Sequence, residues 1–172
     1  MKSFLLLLVL LILVPAMGQE NGLAQSKTDL VGTWKLVSAS YTTDKGQVVK
    51  DAYGRNPTGF LTYTADGRMM AIIASGGRKP LSVANQVTAP ASERAEAFST
   101  ITAYAGWYSV ADGKVIHHVE VSAVQNEVNT DKVRTIAKLD GKRVTLRMPG
   151  SRAGEKFTGE LVWERISGGS AP

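Results

Sequence analysis

The chain has no cysteine and only two histidines, His117 and His118, in 172 residues. Without cysteine it can have no disulfide framework, no thiolate zinc site, no thiol nucleophile and no lipid-modified cysteine. Two histidines leave few ways to build a transition-metal site. Charged residues are 20% and apolar residues 44% of the chain, too few and too many respectively for a disordered protein. There is no Gly-x-Ser-x-Gly elbow to present a serine nucleophile. Ser75-Gly76-Gly77-Arg78 precedes no helix of the kind that cradles phosphate, so no cofactor is expected. What remains is one small domain held by its core.

The one long apolar run, Phe4 to Val14, is too short for a spanning helix, which needs roughly 20 residues. It follows Met1-Lys2 and ends at Pro15, with small residues at Ala16 and Gly18. This is the layout of a secretory signal peptide over residues 1–18, with cleavage before Gln19. The expectation is therefore a secreted or periplasmic protein with no membrane span after cleavage. Residues 19–166 then form the domain, and 167–172 a flexible tail.

Positive charge is concentrated late. Residues 19–130 carry ten Lys/Arg and ten Asp/Glu, whereas residues 131–172 carry nine and five. No aromatics are interleaved with those charges, which argues against nucleic acid as a partner. A solvated strand face is the plainer reading.

A recurring turn organises the body of the chain. Asp44-Lys45-Gly46, Asp66-Gly67, Asp112-Gly113 and Asp140-Gly141 each separate stretches rich in Val, Ile, Thr and aromatics. Glycine supplies the positive φ that tight hairpins require. Strands are expected near 32–41, 47–50, 59–64, 68–75, 106–111, 114–122, 132–139, 143–149 and 157–166. Eight or nine sequential antiparallel strands favour an up-and-down β-barrel, because closure removes exposed edges. One segment differs: residues 91–104 lack Gly and Pro and carry apolar residues at helical spacing after Pro90, predicting one α-helix that could act as lid or plug.

Pairing across the turns predicts which side chains point inward. A two-residue turn at Asp112-Gly113 sets Tyr108 opposite His117, both interior, with Trp107 and His118 on the other face. A two-residue turn at Asp140-Gly141 sets Val133, Thr135 and Ala137 inward against Met148, Leu146 and Val144. Arg134 and Arg147 then share the solvent face with the outward-pointing His118 and Glu120, and Glu120 lies near Arg134. This basic outer cluster could serve an envelope protein-interaction module. His118 and Glu120, two apart on one face, could supply two metal ligands, but no third is evident, so no metal is expected. His117 with Tyr108 could act as acid and base in a cofactor-free isomerase, cyclase or hydrolase; a hydrogen-bonded core histidine is the plainer alternative. Tyr53 and Arg55, in the Gly- and Pro-rich loop Tyr53 to Gly59, could gate a pocket mouth.

Leu30-Val31-Gly32-Thr33-Trp34-Lys35-Leu36 opens the first strand with Gly-x-Trp and resembles the start of a lipocalin. The resemblance implies that Trp34 closes the barrel bottom and that Arg165, from Trp163-Glu164-Arg165, stacks across it. Tyr53-Gly54, Pro57-x-Gly59, Leu61-x-Tyr63-x-x-Asp66-Gly67-Arg68-Met69, Ala103-Tyr104-Ala105-Gly106, His117-His118-Val119-Glu120 and Val133-Arg134-Thr135 together resemble the bacterial and fungal lipocalin-like domain family over about residues 28–166. This implies an all-β barrel that binds a small, largely apolar molecule inside. Tyr63, Met70, Phe98, Tyr104, Tyr108 and His117 are the expected lining. A monomer or weak dimer is expected.

Overall fold

The computed structural model describes residues 26–152 and 154–167. The expected signal peptide and all of the expected tail beyond residue 167 lie outside the described residues. Nine strands run in order: β1 (Gly32–Thr43), β2 (Val48–Lys50), β3 (Thr58–Tyr63), β4 (Arg68–Ala74), β5 (Ile101–Ala111), β6 (Lys114–Ser122), β7 (Asp131–Leu139), β8 (Arg143–Arg152) and β9 (Glu155–Arg165). Each barrel strand pairs antiparallel with the next, and β1 pairs with both β3 and β9. Eight strands therefore close a barrel, while β2 adds a short ninth along the far end of β1. Closure leaves the barrel no open edge.

The turns explain much of this order. Asp112 and Gly113 both take positive φ, 50° and 68°, as the twist-matched two-residue hairpin demands. The result is the expected register, Tyr108 opposite His117 and Val110 opposite Val115.

The same dipeptide behaves differently at the β7–β8 turn. The Asp140 carboxylate accepts from the Lys142 and Arg143 amides at 3.1 and 2.8 Å, so Gly141 and Lys142 become the turn. Leu139 faces Val144 rather than Lys142. A bulge between Ile136 and Lys138 then inserts one residue into β7. One extra residue turns the rest of a strand over. Ile136 is buried, while Val133, Thr135 and Ala137 face solvent, the reverse of the expectation. Val144 and Leu146 on β8 are buried as expected.

The helical segment is shorter than expected. Helix α2 spans Ala91–Ser99, after a four-residue α1 at Lys27–Leu30. Residues 101–104 instead begin β5, where Ile101 and Thr102 pair with Ala74 and Ile73. Their β-branched side chains suit a strand better than a helix. No residue of α2 is buried, so it does not plug the interior.

The bottom of the barrel is sealed by α1 and two tryptophans. Leu30 and Trp34 are fully buried, and the Trp34 indole donates to the Leu30 carbonyl at 2.8 Å. Arg165 lies 4.0 Å from the Trp34 ring centroid and donates to the carbonyls of Gly141, Asp29 and Val31. The core continues upward through Leu36, Leu61, Met69, Val144, Leu146 and Trp163.

Candidate functional site

Midway up the barrel the interior turns polar. His117 is buried on β6, and its ring lies between two tyrosines of other strands. The Tyr63 hydroxyl is 2.6 Å from Nε2, and the Tyr104 hydroxyl is 2.9 Å from Nδ1. Burial, then the positive charges of Arg134 and Lys132, hold the imidazole well below its usual range, so it is neutral at pH 7. Burial pushes both phenols up, Tyr63 well above the usual tyrosine value. Both imidazole nitrogens are engaged, and neither is free to take a proton from a substrate without breaking a bond.

Tyr108 is interior but plays a different part. Its hydroxyl donates to the Thr64 carbonyl at 3.1 Å, toward the closed bottom. Its ring packs against Tyr63, centroids 4.7 Å apart. The hydroxyl partners of His117 are thus Tyr63 and Tyr104, not its cross-strand neighbour Tyr108.

The β7 bulge adds two cations to this face. Lys132 is opposite His117 and Arg134 opposite the buried Val115, so both share the interior side of the sheet. Lys132 bonds Glu127 at 2.6 Å, and its ammonium lies 5.2 Å from the Tyr104 ring centroid. Burial would raise the Glu127 carboxyl, but hydrogen bonds from Lys132 and Ser122 outweigh it and hold it low. Arg134 stands beside Tyr104, close enough to lower the phenol against the effect of burial. The expected pairing of Arg134 with Arg147 on the outer face is therefore overturned. Arg147 faces out opposite Thr135 and bonds Glu160 at 2.7 Å. Lys132 was missed from the sequence, and Arg134 misplaced, because the bulge has no mark in the order of residues.

Beyond this polar layer, at the end away from α1, a cavity of about 250 Å³ opens. Its lining includes Tyr41, Tyr53, Met148, Phe157 and Leu161, with the charged Arg152 and Glu160 beside them. Tyr53 borders both regions, lining the cavity and lying near enough to Tyr104 to act on its phenol. The loop carrying Tyr53 is anchored by Gly76, whose amide donates to the Tyr53 carbonyl at 2.8 Å. A Cβ on Gly76 would collide with the Arg55 carbonyl.

Two expected lining residues lie elsewhere. Met70 is 57% exposed on the outer face, because Met69 is the residue opposite Tyr63 and takes the inward position. Phe98, on α2, is 53% exposed and borders an external groove with Leu81 and Val87. Strand alternation in the first case and the external helix in the second explain both.

The outer-face cluster also divides. Glu120 bonds Arg68, not Arg134. His118 stacks on Trp107 with centroids 3.5 Å apart. It bonds Asp131 through Nδ1 at 2.6 Å and Ser109 through Nε2 at 2.9 Å. Ser109, His118 and Asp131 thus stand in the order of a proton relay, which no local motif announced. Ser109, however, sits within a regular strand rather than on a sharp turn, and the neighbouring Tyr108 amide serves the ladder through Gly67. A hydrolase instead leaves amides free for an oxyanion.

The family model described as lipocalin-like domain matches residues 31–166. The chain belongs to that family. Among curated proteins none matches. Solved structures similar to this lipocalin-like chain include bovine odorant-binding protein in complex with a selenium-containing odorant. It shares 13% identity, with 84% of this chain and 75% of that one covered at a TM-score of 0.43. The siderocalin Ex-FABP, titled as functioning through dual ligand specificities, shares 11% identity over 80% of this chain and 74% of that one, at 0.41. An uncharacterized protein from Bacteroides eggerthii shares 12% over 80% and 99%, at 0.40. Among the described residues of this lipocalin-like barrel, no helix is long and apolar enough to cross a membrane.

Proposed function

We propose that this protein is exported and binds a small, largely apolar molecule, noncovalently, in the open end of its barrel. The observation that carries the reading is the cavity of about 250 Å³ walled by Tyr41, Tyr53, Met148, Phe157 and Leu161. It lies just below the usual ligand-cavity range of roughly 300–1,000 Å³ and has the expected character, apolar walls beside a few convergent polar groups. The neutral, doubly bonded His117 supports binding over proton transfer: it fixes Tyr63 and Tyr104 instead of waiting for a substrate. Of the expected lining, Tyr104 and His117 form the polar floor of this site in the proposal. Tyr63 and Tyr108 support them from below.

Native mass spectrometry of protein purified without refolding from its own host tests the binding. A stoichiometric small molecule that leaves on denaturation is expected. An empty barrel that also fails to take up apolar molecules added at micromolar concentration would overturn the reading. Export is tested by N-terminal sequencing of protein from outside the cytoplasm. A mature start at Gln19 is expected, and an intact Met1 would contradict it.

A further inference from the structure

The outside of the barrel is not uniformly polar. On β3 to β6, Phe60, Met70, Ile72, Trp107 and Val121 point outward, each between 40% and 60% exposed. Strand register makes them one patch. Phe60, Ile72 and Ala103 form a first cross-strand row, with Ala123 bonded beside Ala103. Thr62, Met70, Ala105 and Val121 form a second, and Arg68, Trp107 and His118 a third. The first two rows carry no charge. With about half of each large side chain exposed, the patch offers roughly 500 Å² of apolar surface, near the upper end of what a monomer carries. A specific interface buries about 1,000 Å² or more in total, a threshold that two such patches reach together.

The order of side chains says what fits the patch. Bulk lies on one half and is missing from the other. On β3 and β4, Phe60, Ile72 and Met70 stand out as a ridge. In the same rows Ala103, Ala105 and Ala123 floor a trough of about 470 Å³. A two-fold axis running along the strands, midway between β4 and β5, exchanges the two halves without shifting the rows. It sets the partner's Met70 over Ala105, the partner's Ile72 over Ala103 and the partner's Phe60 over Ala123, and each contact occurs twice. In the third row the partner's Arg68 falls above the exposed Trp107, a cation beside an indole. The strands of the two sheets then run aligned at about 10 Å, as packed sheets prefer. An unrelated protein or a bilayer would meet an apolar face equally well without bulk and alanine being matched row by row.

We propose that this face joins two copies of the chain in a weak isologous dimer, the β3–β4 ridge of each seated on the β5 alanines of the other. The contact lies outside the barrel and is independent of what the interior holds.

Sedimentation velocity of the mature chain between about 1 μM and about 500 μM tests it, the range in which an interface of this size associates. A monomer-to-dimer transition within that range is expected. Met70→Lys and Ala105→Glu, both at outward positions, should each raise the dissociation constant at least tenfold while leaving the circular dichroism spectrum unchanged. Mixed in equal amounts they should dimerise again. One reciprocal contact then becomes a lysine–glutamate pair, and the other is the original pairing of Met70 with Ala105. Thr135→Glu, on the outer face of β7, should leave the dissociation constant where it was. A chain still monomeric at about 500 μM would overturn the proposal. Capture of the monomer on phosphatidylcholine vesicles would also overturn it, assigning the face to a bilayer. A dimer that both variants leave intact would place the interface elsewhere, and a mixture that stays monomeric would overturn the seating of ridge on alanines.

Discussion

Tyr63 on β3 and His117 on β6, 54 residues apart in sequence, meet inside the barrel with hydroxyl and Nε2 2.6 Å apart. With Tyr104 on Nδ1, they tie three strands together through one neutral imidazole. A buried polar chain of this kind is stabilising only while every member is bonded.

Tyr63→Phe removes the hydroxyl and leaves Nε2 unpaired in a fully buried place. A loss of about 1–3 kcal/mol is expected in urea unfolding. Tyr108→Phe removes a single hydroxyl-to-carbonyl bond, and its loss should stay near 0.5–1.5 kcal/mol. Equal losses would mean that the His117 chain adds nothing beyond ordinary hydrogen bonds.

Acid should unfold the barrel partly through His117. Burial and the nearby Arg134 and Lys132 hold its folded pKa well below that of the unfolded chain, about 6.5. The unfolded state therefore binds the extra proton first. Stability is full above roughly pH 6.5 and declines as pH falls toward the folded value. A falling Tm between pH 7.5 and 5 is expected, with a shallower fall in His117→Gln. Parallel curves for the two proteins would assign the acid sensitivity to other groups.

Arg165 holds the bottom closed by stacking on Trp34 and donating to carbonyls of Gly141, Asp29 and Val31. Losing the cation–π contact and these charge-assisted bonds in Arg165→Met should cost about 2–4 kcal/mol. Trp34 fluorescence should also shift on the native baseline as α1 loosens. A variant within 0.5 kcal/mol of the parent would refute the role.

Gly76→Ala should push the Arg55 carbonyl aside and move the loop that carries Tyr53. Overpacking of this kind costs about 1–3 kcal/mol. Affinity for an apolar probe in the open end should drop while the Tyr63–His117 bond, deeper in the barrel, persists. Unchanged affinity would remove the loop from the site.

The order of residues already determined the barrel. Repeated Asp-Gly turns between β-rich stretches dictate a meander, and a meander of this length closes on itself. The inward placement of His117 was equally legible, because Tyr108 and His117 stand a few residues from a turn whose geometry Asp112-Gly113 fixes locally. Trp34 and Arg165 were legible only through family resemblance, since nothing local links strands 131 residues apart.

The tertiary structure decided the rest. At Asp140 a carboxylate captured two amides and displaced the turn by one residue. Near Ala137 a bulge then reversed the face of β7 and brought Lys132 and Arg134 inside. A strand's inward face depends on the parity of its register, and one unpaired residue changes that parity without leaving a mark in composition or pattern. The sequence alone determined a barrel and where its histidine points; the charges that accompany that histidine were settled by how the eighth strand meets the seventh.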